Sequence, residues 1–201
     1  MRVLAVCATE FERSRLSLPE SAETLICGVG PVEAAARTAA ALCNEHFELV
    51  LNLGIGGGFE GRCAVGDACS IGSEFVEIDR ENGEALQLPN GERLTTHAAS
   101  DATLVELLAA VGFPPRIGVT VSRVTTTEAT AKRLSHLGAE VESLEGFAVL
   151  RAAELAEVRA LELRGISNLV APKNAAPWNL DAAFEALNRI SAALFCAIEA
   201  T

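Results

Sequence analysis

The chain has 201 residues, 50% of them hydrophobic and 21% charged, with 16 basic against 27 acidic residues and a net charge of −11. That length suits one domain with a substantial core, the composition excludes disorder, and no apolar run approaches the ~20 residues needed to cross a bilayer. The acidic balance argues against a nucleic-acid backbone or an anionic membrane as partner and leaves a small polar molecule as the fitting substrate class.

Val3 to Ala8 is an apolar run of β type, too short for a signal-peptide core, and Thr9-Glu10-Phe11-Glu12 breaks it with carboxylates at its C-terminal end. Leu25 to Val29 reads as a second strand, and Gly28-Val-Gly-Pro31 delivers Pro31 to the first turn of an alanine-rich helix reaching about His46. Leu49 to Leu53 is a continuous apolar strand of the kind buried in parallel sheets. It runs into Gly54-Ile-Gly-Gly-Gly58, which reads as a loop, either a tight turn or a set of amides exposed to a ligand. The run lacks the Gly-Lys-Ser/Thr of a P-loop and the following helix of a dinucleotide fingerprint.

Ala68 to Ile78 is again β-like, and turn signals at Asn82-Gly83 and Asn90-Gly91 within Asp79 to Thr96 point to a hairpin or excursion at the sheet edge. A helix is expected from Asp101 to Val111, a strand from Arg116 to Ser122, and a helix ending at His136 with Thr125-x-x-Glu128 as its capping box. Glu145 opens a helical stretch, Gly146 to Ala156, and Ala160 to Val170 is an apolar strand that closes on Asn168. A loop from Ala171 to Pro177 precedes a final amphipathic helix, Leu180 to Ala200. Strands alternating with helices predict an α/β domain spanning residues 1–201: a three-layer α/β/α sandwich around a central mixed sheet.

The six cysteines lie mostly in apolar runs, with no C-x-x-C and no Cys/His pairing suited to zinc. They read as buried free thiols of a cytoplasmic protein, with no metal site. His46, His97 and His136 read as surface or cap residues.

Two segments carry a resemblance. Glu142-Ser-Leu-Glu-Gly146 and Arg164-Gly-Ile-Ser-Asn-Leu-Val170, with Trp178 downstream, are similar to the signature of the nucleoside phosphorylase/nucleosidase superfamily. Within it they most resemble the futalosine hydrolase family, nucleosidases of one menaquinone pathway. The resemblance implies hydrolysis of the N-glycosidic bond of futalosine with release of hypoxanthine, without a cofactor, by a homodimer or larger homo-oligomer. The competing activities are a methylthioadenosine/adenosylhomocysteine nucleosidase, a purine nucleoside phosphorylase, and a nucleoside-binding module without turnover.

It also implies roles. Glu12 matches the glutamate that activates water, with Glu10 as competitor; as plain residues both suit a helix start, where the macrodipole favours acids. Glu145 would accept hydrogen bonds from the ribose hydroxyls, with Glu142 as alternative and Leu144 packing on the ribose where most relatives carry Met. Asn168 would engage the base. Relatives acting on adenine nucleosides tend to carry Asp there, so Asn suits a 6-oxopurine; otherwise it is an ordinary strand-ending asparagine. Ile55, beside Gly56, stands where adenine-specific nucleosidases carry serine, which weakens the case for phosphate. The carboxylate on the C5′ substituent would want a cation, with Arg123 and Lys173 as candidates. Trp178 would cover the pocket or meet a subunit, core filling being the ordinary role of a lone tryptophan. Lys173-Asn174 stands where the family carries Arg-Asp.

Overall fold

The computed structural model describes residues 1–78, 86–171 and 177–199, so Asn82-Gly83, Lys173 and Asn174 lie outside the described residues. In chain order the elements are β1 (Val3–Cys7), α1 (Glu10–Arg13), β2 (Ala22–Ile26), α2 (Pro31–Asn44), β3 (Leu49–Gly58), β4 (Ala68–Val76), β5 (His97–Ala99), α3 (Ala102–Ala110), β6 (Arg116–Thr120), α4 (Glu128–His136), β7 (Val141–Ser143), α5 (Gly146–Leu155), β8 (Arg159–Leu169) and α6 (Leu180–Glu199). No helix among the described residues is long and apolar enough to cross a membrane.

The mixed α/β class expected from the sequence is what the chain adopts. The hydrogen-bonded order is β2-β1-β3-β7-β6-β4-β5, with β8 pairing both β3 and β4. β8 runs parallel to β3 and antiparallel to β4, while β7 joins the end of β3 to β6. The ring β3–β7–β6–β4–β8 therefore closes on itself into a five-stranded barrel-like core, and β1 and β2 extend the sheet beyond β3.

Side-chain alternation along β3 decides the layers, because successive residues face opposite sides of a sheet. Leu49, Leu51 and Leu53 pack with Leu104 and Leu108 of α3 and with Phe184, Leu187, Ile190 and Leu194 of α6. Val50 faces the other way, toward Ala34 of α2 and Ala148, Val149 and Ala153 of α5. Each fully buried leucine contributes roughly 1.5–3 kcal/mol relative to an exposed one, so both layers contribute to the fold's stability.

Three local expectations are corrected. The glycine run is the second half of β3, paired through Gly58 with β8, so its amides serve the sheet. The cap of α4 is Thr127, whose side chain accepts from Thr130 N, whereas Thr125 N donates to Glu142. The second strand starts at Ala22 and stops at Ile26, ahead of Gly28 and Gly30, whose φ values of 82° and 90° form the turn into α2. Of the expected edge excursion, the described part turns at Asn90-Gly91 beside a Gln87–Arg93 bridge and leads into β5 on the outer edge of β4.

The barrel interior holds charge. Glu74 of β4 and Glu162 and Arg164 of β8 are all buried, and Arg164 Nε donates to Glu162 Oε1 at 2.7 Å. Thr120 Oγ1 donates to Glu74 Oε1 at 2.6 Å, while Glu74 Oε2 has no partner among the described residues. Burial, and after it the nearby Glu162, push the Glu74 carboxyl well above the ordinary range. Folded chains therefore keep a proton there at a pH where unfolded chains have lost it, and the stability so gained fades as pH rises from the usual carboxylate value through the raised one. Glu74→Gln should flatten this decline: in urea unfolding the variant should lose less stability than the parent between about pH 5 and pH 8, and an unchanged slope would show that Glu74 is ionised in the fold.

Candidate active site

A cleft of about 280 Å³ opens where the ends of β1, β3, β7 and β8 meet. Ala8, Thr9, Phe11 and Glu12 form one wall, Ile55, Gly56 and Gly57 of β3 the floor, and Glu142 to Glu145 another wall. Ser167 and Asn168 at the end of β8, with Trp178 and Leu180, complete the lip. No lysine, arginine or histidine occurs among the described lining residues.

Glu12 is placed by its own helix start. Thr9 caps α1 by accepting from Glu12 N at 3.2 Å, and Glu12 Oε2 accepts from Thr9 N at 3.0 Å and from Thr9 Oγ1 at 3.1 Å. This reciprocal capping box fixes the carboxylate without long-range help. A methyl group added at Gly54 would stand 3.3 Å from Glu12 Oε1 and would collide with Arg164 Nη1. Glu12 and the buried guanidinium thus both approach a strand position that has no side chain. Glu10, the competitor, is exposed and lies 3.8 Å from Arg13, on the solvent side of the same helix.

Glu145 precedes α5 but its side chain makes no cap hydrogen bond to that helix. Instead Oε1 accepts from Gly30 N at 2.9 Å, a backbone group presented by the turn before α2. Burial raises its carboxyl above the ordinary value; Arg164 and the Gly30 contact oppose the rise, and Glu12 and Glu162 add to it. The Glu145 carboxyl therefore feels Glu12 across the cleft, with Arg164 as its counter-charge.

Asn168 ends β8 after a bulge in its pairing with β3 between Gly56 and Gly57. Its Oδ1 accepts from Ser167 Oγ at 2.8 Å and its Nδ2 donates to Leu169 O at 3.1 Å, which leaves the second amide hydrogen for a ligand. Asn179 N donates to Ser167 O at 2.8 Å, tying the segment before α6 to the same strand end and holding Trp178 at the cleft. Trp178 is 52% exposed, so the core-filling role does not apply.

The structure thus brings Glu12, Ile55, Gly56, Leu144, Glu145, Asn168 and Trp178 to one cleft. Arg123 is exposed and is not part of the lining, although its neighbour Val124 is. The three histidines are exposed and away from the cleft. Burial pushes the thiols of Cys7 and Cys27 up to about 12, so neither is an ionised nucleophile near neutral pH. Sequence reasoning missed Arg164 as a site residue. The available signal was the pair Glu162-x-Arg164, two charges on one face of an otherwise apolar strand, which requires internal pairing. Thr9 and Gly30, which hold the two glutamates, left only the capping-box spacing and a turn as traces.

Comparison with known proteins shows the family. Residues 21–200 match the family described as the phosphorylase superfamily. The chain is 35% identical to the futalosine hydrolase of Streptomyces coelicolor, over 92% of this chain and 85% of that protein. It is 38% identical to the futalosine hydrolase of Acidothermus cellulolyticus, over 87% of this chain and 75% of that one. Among solved structures, a 5′-methylthioadenosine/S-adenosylhomocysteine nucleosidase of Helicobacter pylori superposes with a TM-score of 0.81 at 12% identity, over 99% of this chain and 98% of that one, a likeness of fold. The chain belongs to the phosphorylase superfamily and, within it, to the futalosine hydrolases, a family of N-glycosyl hydrolases.

Proposed function

We propose that this chain hydrolyses the N-glycosidic bond of futalosine and releases hypoxanthine, with Glu12 activating water, Glu145 holding the ribose and Asn168 engaging the base. The observation that carries the assignment of roles is the convergence of these three side chains, from separate parts of the chain, on one cleft. As the bond to the purine loosens, positive charge builds on the sugar, and two nearby carboxylates stabilise it more than they stabilise the neutral substrate. Glu12 lines the cleft and is anchored by Thr9 through Oε2, which leaves Oε1 as the oxygen to orient water and take its proton. The amide hydrogen left on Asn168 Nδ2 meets the negative charge that develops on the leaving purine. Water supplies one proton and the purine takes one up, so the overall reaction is proton-neutral.

Hydrolysis rather than phosphorolysis is favoured by the lining, since Ile55 is apolar and no cation among the described lining residues is available to hold phosphate. We place the enzyme in the cytoplasm, which suits its six free cysteines. We also infer a homodimer or larger homo-oligomer, because Phe11, Val29 and Trp178 at the cleft mouth are about half exposed and Val32 beside them is 80% exposed.

The decisive assay incubates the protein with futalosine, inosine and methylthioadenosine, each with and without phosphate. Hypoxanthine and the free sugar should appear from futalosine without phosphate, and Glu12→Gln should keep binding yet lose at least ~100-fold in turnover; adenine release or a phosphate requirement would replace the reading. Gly54→Ala should cost on the order of 100-fold in kcat and also lower the thermal transition, since the added methyl collides with the buried Arg164 guanidinium and crowds Glu12 Oε1. Wild-type turnover in that variant would remove Arg164 from the account. In sedimentation at micromolar concentration the protein should run as a dimer or larger, and a monomer would refute the oligomer.

A further inference from the structure

An α-helix leaves its first N–H groups without intrahelical partners, and the residue at the cap position ordinarily meets them with its own side chain. Glu145 holds that position before α5 and does not do this: its Oε1 is turned to Gly30 N, and its side chain lines the cleft. The missing cap comes from the barrel strands. Gly146 N donates to Ser143 Oγ of β7 at 3.1 Å, and Phe147 N donates to Thr120 Oγ1 of β6 at 2.8 Å.

A hydroxyl that accepts in this way still has its own hydrogen to place. Thr120 gives it to Glu74 Oε1 at 2.6 Å, and Ser143 donates to the same oxygen at 3.5 Å. One oxygen on β4 therefore orients both hydroxyls and stands behind the two amides that open α5. The seat is shaped for this side chain. A Cβ at Gly118 would overlap Glu74 Oε2, and a Cβ at Gly146 would lie 2.7 Å from Glu74 Oε1, so glycines on two sides make room for the carboxyl. Glu74 is 1% exposed and is not part of the cleft lining, so it acts on the helix start and not on a ligand.

We propose that Glu74 is a positioning residue for the reaction: through Thr120 and Ser143 it caps α5 from outside the helix, which frees the Glu145 carboxylate from capping and holds it where the ribose hydroxyls reach it. The proposal rests on the nucleosidase reading above, in which Glu145 accepts from those hydroxyls. Without the acceptor on Glu74, the two hydroxyls lose their fixed orientation, and the amides of Gly146 and Phe147 lose a fixed partner. Glu145, at the cap position, is then the acceptor drawn back onto its own helix. The loss falls on ribose recognition in particular, since Glu12 and Asn168 are held by contacts of their own.

The test compares kcat/KM on futalosine and on 2′-deoxyfutalosine within each variant, a ratio that reads the ribose contact and cancels any loss of folded enzyme. Glu145→Ala sets the floor of that ratio. A hydroxyl donated to a carboxylate is among the stronger hydrogen bonds, so Glu74→Met should lower the ratio at least ~10-fold toward the floor. Glu74→Gln, which keeps an acceptor for Thr120, should stay within about threefold of the wild type. Thr120→Val cuts the same path from the other side and should repeat the result of Glu74→Met, which keeps the test decisive if that variant does not fold. Equal losses on both substrates, leaving the ratio unchanged, mean that Glu74 only supports the fold; the proposal then falls while the nucleosidase reading stands. A Glu74→Gln ratio as low as that of Glu74→Met also overturns it. A wild-type ratio already at the floor removes the role of Glu145 and the proposal with it, and a wild type that releases no hypoxanthine sinks the nucleosidase reading itself.

Discussion

The buried pair of Glu162 and Arg164 is the constraint on which both fold and site depend. Removing two charges from water is expensive, and their mutual attraction offsets this only when geometry is good, so breaking such a pair typically costs about 3–5 kcal/mol. Here Arg164 is fully buried, and although burial works against its charge, Glu162 and then Glu145 act to hold the guanidinium ionised. Room for this chemistry comes from missing side chains. A Cβ at Gly146 would lie 2.6 Å from both Glu162 oxygens and 2.7 Å from Glu74 Oε1, so the start of α5 approaches the barrel only because that residue is glycine. The helix start that carries Glu145 is thereby seated directly on the interior charges.

This arrangement explains why the carboxylates of the cleft are not independent. Glu12 is set by a local capping box and Glu145 by a backbone amide from the turn before α2, and the buried Arg164 guanidinium opposes the rise that burial imposes on Glu145. In the proposed mechanism a cationic sugar is met by two anions whose positions were fixed during folding and which need not reorganise during the reaction. The apolar groups around them, Ile55, Leu144 and Leu180, keep the dielectric low and strengthen those interactions.

Much of this was legible in the sequence. Apolar runs marked β1, β3, β4, β6 and β8, Pro31 marked the start of α2, and the long amphipathic pattern marked α6, because burial against one neighbour leaves a local period. Barrel closure was not legible: it depends on β8 pairing with both β3 and β4, and on β7, whose three residues are too few to show a period. The glycine run misled for a physical reason. Glycine ordinarily weakens a strand, yet in β3 it is what allows Arg164, Glu12 and Val141 to come close. Glu12, Glu145 and Asn168 had equally ordinary readings as helix-start acids and a strand-ending asparagine, and only the resemblance separated the functional reading from the ordinary one.

Trp178 gives the molecule a built-in optical property. The chain has one tryptophan and no tyrosine, so nearly all of its near-ultraviolet emission originates from a single indole. That indole stands half exposed at the lip of the cleft, tied through Asn179 to the strand end that carries Asn168. Excluding solvent from the lip, or stacking an aromatic group on the ring, changes the colour and quenching of this one fluorophore with no background from elsewhere. Occupancy of the cleft is therefore written into the intrinsic spectrum of the unlabelled protein.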